Sequence, residues 1–317
     1  DSIHAARLTD LSEAEGVPID MMIGLKFPAY LAYHPNPVFW LLHQHRQAYD
    51  MWDAGTSDLL DMPDGMMARN MIQAEDRAAF ARSHRSIYAN SENVAGRLKK
   101  YLDLDATPLY HPPPLANQLR QGDYGDYLFA PGRLNPSKRV DLMLRALAKV
   151  PGPLRLVIAG VPETPAYLDE LRNLAAALGI SGRVEWLGGI DDAAMIRHYA
   201  QCRAVVFTPQ DEDLGYITLE AMLSGKPVIT TADAGGPLEF ISQKREGLIT
   251  AATPEALSQA FMTLHEDVRL AETMGRAGLE RYQSLNISWE DVVETLTGET
   301  AKPAPGPAQI ADLEAKA

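Results

Sequence analysis

Residues whose types and spacing could do chemistry fall in two short segments. In Ala130-Pro-Gly-Arg-Leu-Asn-Pro-Ser-Lys138, the cations Arg133 and Lys138 stand five residues apart on a turn shaped by Gly and Pro. Such a pair can clamp a diphosphate, the guanidinium offering a planar fork and the ammonium a point charge. Between Phe207 and Gly225 an acidic loop follows an apolar run, and a helical pattern opens near Tyr216. Gly215 lets the backbone approach a ligand closely, and the N–H groups at a helix start have no partner inside the helix, so this turn reads as an anion site. Glu212 stands just before the turn and Glu220 within the helix's first turns. A carboxylate there can accept both hydroxyls of a ribose or hexose diol. Plainer readings stand beside these. Arg133 and Lys138 also suit a charged surface turn, Glu212 a solvated acidic loop, and Glu220 a helix N-terminus favoured by the dipole.

The elements that must position these residues show as periodicity. From Tyr127 onward short apolar runs (127–130, 154–159, 184–187, 204–208, 227–231, 247–249) alternate with amphipathic segments (139–149, 164–178, 191–201, 216–223, 237–242). This alternation predicts an α/β fold with a parallel sheet, right-handed crossovers and helices on both faces. Helical patterns follow at 254–265, 268–282 and 289–296. The earlier part predicts strands at 19–25, 38–43, 86–89 and 107–110, and helices at 65–82 and 91–101, Ser91 reading as an N-cap. Asn135 or Ser137 could likewise cap the helix after Lys138. Residues 1–15 read as one helical stretch ended by Gly16 and Pro18, prolines 112–114 as a stiff hinge, and 302–317 as a Pro/Ala/Gly-rich disordered tail. The expected layout is a first domain over 1–115, a second domain over 116–284 that carries both segments, a further helix over 285–298, and a tail over 299–317.

Bulk properties narrow the function. The 317 residues are 46% hydrophobic and 22% charged, enough for two compact cores. A net charge of −13 without a Lys/Arg cluster argues against nucleic acid and against adsorption to an anionic membrane, leaving peripheral membrane contact open. No apolar run reaches the ~18 residues of a membrane helix. The single Cys202 allows neither an internal disulfide nor a thiolate metal cluster. With no signal-like stretch at the start, a cytoplasmic location is the default expectation.

Together the two segments resemble the family-4 glycosyltransferases, which share Gly-Arg-x4-Lys on one loop and Glu-x7-Glu around a second. Here these are Gly132-Arg133…Lys138 and Glu212…Glu220. The likeness runs on through Glu220-Ala-Met-Leu-Ser-Gly-Lys-Pro-Val-Ile229 and Gly235-Gly236-Pro-Leu-Glu239, covering 127–283. It implies the GT-B fold, two Rossmann-like doubly wound domains facing across a cleft, the first one here truncated. Arg133 and Lys138 would then hold the donor's pyrophosphate, Glu220 the ribose hydroxyls, and Glu212 the transferring sugar. The backbone N–H groups of Gly215, Tyr216, Thr218 and Leu219 would meet sugar and phosphate. The resemblance further implies transfer with retention of anomeric configuration, in carbohydrate or polysaccharide biosynthesis, with no metal, no Asp-x-Asp metal motif, and no cofactor beyond the nucleoside diphosphate sugar as co-substrate. Leu214 departs from the family's usual Phe.

The segments 26–30 and 38–46 resemble the last strands of the family's acceptor-binding domain. On that likeness His43, rather than His45, would face the cleft and hydrogen-bond the donor sugar; a structural histidine capping a strand end is the plainer reading. The segment from Trp289 to Val293 resembles the family's final helix, which crosses back to the first domain. Nothing before Asp20 matches, so the chain is expected to begin inside its first domain. The sequence predicts a glycosyltransferase acting on an unidentified acceptor (a glycan, a lipid-linked or a small molecule), or else a nucleotide-sugar-binding chain needing a further N-terminal segment.

Overall fold

The structure, a computed structural model, describes residues 2–298. The chain opens with α1 (Ser2–Leu8) and a hairpin of two-residue strands, β1 (Glu13–Ala14) and β2 (Val17–Pro18). The predicted helix over 1–15 is therefore wrong beyond Leu8. Glu15 and Gly16 both take the left-handed conformation, φ 52° and 78°, which reverses the chain in two residues.

Next come β3 (Met22–Lys26), β4 (Pro37–His43), α2 (Asp50–Asp53), α3 (Gly65–Phe80), β5 (Ile87–Ala89), α4 (Glu92–Leu102) and β6 (Ala106–Pro108). These four strands form a parallel sheet in the order β3-β4-β5-β6. Ser91 caps α4, its hydroxyl accepting from the Val94 N–H at 3.0 Å, as its residue type predicts.

The second sheet is built from β7 (Tyr127–Pro131), α5 (Val140–Lys149), β8 (Arg155–Ala159), α6 (Pro165–Ala177), β9 (Val184–Gly188), α7 (Asp192–Gln201), β10 (Ala204–Val206), α8 (Tyr216–Leu223), β11 (Val228–Thr231) and β12 (Gly247–Thr250). The six strands are parallel, in the order β12-β11-β10-β7-β8-β9. Buried side chains line both faces: Leu128, Leu144, Leu156 and Phe261 pack on one, Phe129, Val157, Tyr199 and Val205 on the other. A parallel sheet covered on both sides has this double core. The expected helix at 237–242 is only a 3₁₀ turn, Gly236–Glu239, opened by a proline whose fixed φ suits a first turn.

The chain closes with α9 (Pro254–Glu266), α10 (Val268–Ser284) and α11 (Trp289–Thr297). Val292 and Leu296 of α11 are buried with Val38 and Trp40 of β4, so this last helix packs on the first sheet. The expected disordered tail lies outside the described residues.

A carboxyl group lies inside the first sheet's core. Asp76 of α3 is fully buried and accepts from the hydroxyls of Tyr30 at 2.7 Å and Tyr49 at 2.6 Å. Burial pushes its carboxyl up to about 6, against the pull of the two phenols. An unfolded aspartate titrates near ~3.9. Between these values the folded state binds more protons, so the stability this group contributes is full at low pH and lost as pH rises towards 6. Asp76→Asn should accordingly gain stability relative to the native protein between pH 4 and 7, on the order of 3 kcal/mol. Urea midpoints across that range check this, and a flat difference would refute it.

Candidate active site

A doubly wound sheet binds ligands at the carboxyl edge where neighbouring strands send their crossovers to opposite sides. In the second sheet that place lies between β7 and β10, adjacent in space but separated in the chain by β8 and β9. The loop after β7 carries Arg133 and Lys138, and the loop after β10 carries Glu212 and Gly215. The topology thus brings together two segments 74 residues apart.

Lys138 Nζ donates to Glu212 Oε2, in a pair with both side chains largely shielded. Lys138 arrives already balanced by Glu212, whereas Arg133 is exposed and has no ion-pair partner among the described residues. Neither Asn135 nor Ser137 caps a helix: the Ser137 hydroxyl donates to Asn135 Oδ1 at 2.8 Å, and Pro136–Lys138 is a 3₁₀ turn without a side-chain cap.

The residue after Lys138, which no motif singles out, ties the two loops. Arg139 sits in the left-handed region, φ 52°, which disfavours a non-glycine residue. Its guanidinium donates to the carbonyls of Thr208 at 2.8 Å and Pro209 at 2.6 Å, to Thr231 Oγ1 at 2.8 Å, and to both Asp233 oxygens at 2.8 and 2.7 Å. One side chain thereby fastens the Lys138 turn to the ends of β10 and β11. A backbone bond from the Gln210 N–H to the Ser137 carbonyl, 2.9 Å, adds to it.

Gly215 takes φ 83° at the start of α8, and a Cβ there would stand 2.9 Å from Pro237 Cγ and 3.0 Å from Phe207. Only glycine fits this turn. Leu214, the departure from Phe, is buried with Leu219, Met222 and Phe240. The N–H groups of Tyr216 and Ile217 have no acceptor inside the helix, but the Thr218 N–H already donates to the Gly215 carbonyl at 3.0 Å. Thr218 and Leu219 are buried. Thr218 therefore offers a ligand less than expected, its N–H being spent within the turn. The Tyr216 hydroxyl lies 3.0 Å from His111 Nδ1, and the His111 ring stacks on Trp289 of α11.

Glu220 is half-buried. Its Oε2 accepts from the hydroxyl of Tyr199, a fully buried α7 side chain, at 2.6 Å. Burial raises the Glu220 pKa and the Tyr199 bond opposes it. Of the two oxygens expected to accept a diol, one thus already accepts from Tyr199. The plainer reading, a solvated helix-terminal glutamate, does not describe this group.

The acidic loop is not a solvated one. Asp211 meets Arg46 at 3.0 Å, and Asp213 meets the buried Arg97 at 2.6 Å. Asn93 Nδ2 donates to Asp211 Oδ1 and to the Glu212 carbonyl, each at 2.8 Å. Glu239 accepts from the Glu92 and Asn93 N–H groups at the start of α4, at 2.9 and 2.8 Å, and from the Tyr110 hydroxyl at 2.8 Å. Elements of the first sheet therefore grip the loops of the second sheet directly. No cue in the sequence pairs these residues.

His43 ends β4 and is half-buried, Nδ1 lying 2.7 Å from the Gln44 carbonyl. Since a carbonyl only accepts, Nδ1 is the protonated partner in that bond. His45 packs on Phe27, and burial together with His43 lowers its pKa.

Asp-x-Asp spacing does occur, at Asp103/Asp105 and Asp211/Asp213, contrary to the expected absence of such a motif. Lys99 holds the first pair and Arg97 and Arg46 the second. No group of three or more His, Cys, Asp or Glu side chains suited to a metal occurs among the described residues. No helix among them is long and apolar enough to cross a membrane.

Two parallel, helix-covered sheets, the first with its strands in sequence order and the second doubly wound with the candidate site at its switch point, fit the GT-B class. Residues 116–281 match the family described as glycosyl transferases group 1, and the chain belongs to that family. It is 32% identical over 169 residues to D-inositol 3-phosphate glycosyltransferase of Mycolicibacterium gilvum, covering 52% of this chain and 37% of the relative. With human alpha-1,3/1,6-mannosyltransferase ALG2 it shares 30% over 167 residues, 49% of this chain and 40% of that one. The chain spans less than half the length of these curated relatives. Among solved structures, Anabaena HepE in complex with UDP and glucose superposes with a TM-score of 0.66 at 20% identity, over 89% of this chain and 72% of that one.

The Arg139 knot yields a test independent of any ligand. Arg139→Gly removes the five side-chain bonds while keeping a residue at ease at φ 52°. Amide hydrogen exchange should accelerate at least about tenfold in 136–140 and 208–213, the gain expected when local opening becomes ~1.4 kcal/mol easier, and stay unchanged in β8 and β9. Uniform acceleration across the second sheet would mean that Arg139 supports the domain and not the loops.

Proposed function

We propose that this chain transfers a sugar from a nucleoside diphosphate sugar to an acceptor with retention of anomeric configuration and without a metal ion. The observation that carries the reading is the contact, at one switch point, between the loop of Arg133 and Lys138 and the loop that runs through Glu212 into α8. Positive charge and free N–H groups there can stabilise the diphosphate as it leaves, the task a divalent ion performs elsewhere. Arg133 is the uncommitted cation. Lys138 would bridge Glu212 and a phosphate oxygen, while the other Glu212 oxygen accepts a sugar hydroxyl. His43 would present Nε2 as acceptor to a second sugar hydroxyl. Glu220, on the first turns of α8, would take the ribose. Retention requires the acceptor oxygen to bond the anomeric carbon in the configuration the diphosphate oxygen leaves. The named complexes of HepE with UDP and UDP-glucose support a nucleotide site in this fold, and the inositol-phosphate and mannosyl relatives support a sugar-transfer role. The two-domain layout with boundaries near 115 and 284 belongs to the same proposal.

Arg133→Ala and Lys138→Ala should each weaken a nucleoside diphosphate about tenfold or more by calorimetry, on the order of 1.5–3 kcal/mol per charged bond, and the nucleoside far less. The double variant should lose less than the sum, because both cations contact one group. Equal losses for nucleoside and diphosphate would sink the clamp. Turnover is assayed over a panel of nucleotide sugars, reading the product's anomeric configuration by proton NMR with and without EDTA. Inversion, or loss of rate with EDTA, contradicts the proposal. Binding without turnover leaves a nucleotide-sugar-binding chain.

A further inference from the structure

Tyr199 is a polar side chain buried for a single visible purpose. Its ring packs edge-on against Phe129 of β7 at 5.3 Å inside the second sheet's core, and its hydroxyl reaches Glu220 Oε2 at 2.6 Å. A buried phenol needs an acceptor, yet a phenylalanine would fill the same space without one. Glu220, in turn, lies half-buried on α8, where a lone carboxylate tends to keep its proton and turn freely. The phenol restrains both tendencies. It donates to the charged form, and it fixes one oxygen against the rigid strand that leads into the Arg133 loop. The other oxygen, Oε1, has no hydrogen-bond partner among the described residues.

We infer that Tyr199 is a positioning residue for nucleotide recognition: by holding Oε2 it aims Oε1 of Glu220 at a ribose hydroxyl, so that a ribonucleotide is preferred over its deoxy counterpart. The inference rests on the proposed ribose role of Glu220 and deepens it. Preorganisation of this kind strengthens binding because the side chain is ordered before the ligand arrives.

The test uses UDP, GDP and ADP, carried on with the tightest, beside the 2′,3′-dideoxy form of the same nucleotide. Tyr199→Phe should keep the native melting temperature within a few degrees, lose about tenfold in affinity for the ribonucleotide, as for one charged hydrogen bond, and bind the dideoxy form as the native protein does. In a Glu220→Ala background the same substitution should cost nothing further, since the effect runs through the carboxylate. Equal losses on both nucleotides, or additivity with Glu220→Ala, would make Tyr199 a packing residue only. If Tyr199→Phe does not fold, Glu220→Gln replaces it. With Tyr199 holding the amide oxygen, the NH₂ turns to the ligand and part of the ribo preference survives. A loss as full as that of Glu220→Ala overturns the inference. If the native protein itself binds both nucleotides equally, the ribose role of Glu220 fails, and the positioning role fails with it.

Discussion

Everything at the site depends on one constraint of chain topology. When β10 lies down beside β7 and not beside β9, their two crossovers depart to opposite faces, and a crevice opens at the carboxyl ends of the pair. Loops are obliged to leave there with unpaired N–H groups. The electrostatics of the site follow from filling that crevice with cations, carboxylates and the start of a helix. The buried strands supply rigidity; the loops supply chemistry.

Holding those loops is a second layer of work, performed by side chains that never need to touch a ligand. Arg139 ties the Lys138 turn to the ends of β10 and β11, and its left-handed backbone is tolerated because its side chain is over-determined by five bonds. Tyr199 fixes one oxygen of Glu220 from inside the core. Asp211 and Asp213 are neutralised by Arg46 and Arg97 from the first sheet, leaving Glu212 between them to pair with Lys138. Each of the three neighbouring carboxylates thus has a cationic partner, Asp211 and Asp213 sharing Arg46 and Arg97, which keeps mutual repulsion from disordering the loop.

The same contacts join the two halves of the molecule. Glu239 sits at the start of α4, Asn93 bonds the acidic loop, and α11 lays Val292 and Leu296 against β4. His111, in the connecting segment, is wedged between Trp289, Trp40 and Tyr216. A change in how the sheets face each other would be felt at Tyr216, the first residue of α8, through its hydroxyl at His111.

By itself the sequence determined the strands and helices of the second sheet to within a few residues, because short continuous apolar runs and amphipathic segments of period 3.6 are local signals. It also determined the glycine at 215 and the cap at Ser91, each a local stereochemical demand. It misjudged residues 1–15, where a two-residue left-handed turn interrupts a helical pattern, and 237–242, where one 3₁₀ turn stands for a helix. Charge partners were decided only by the tertiary structure. That Lys138 meets Glu212, that Tyr199 engages Glu220, and that Arg97 and Arg46 take the Asp-x-Asp pair at 211 and 213 depend on strand order and on the second sheet lying against α4. Distances between side chains 21 to 165 residues apart carry no periodic trace in the sequence. They exist only once the sheets have closed on one another.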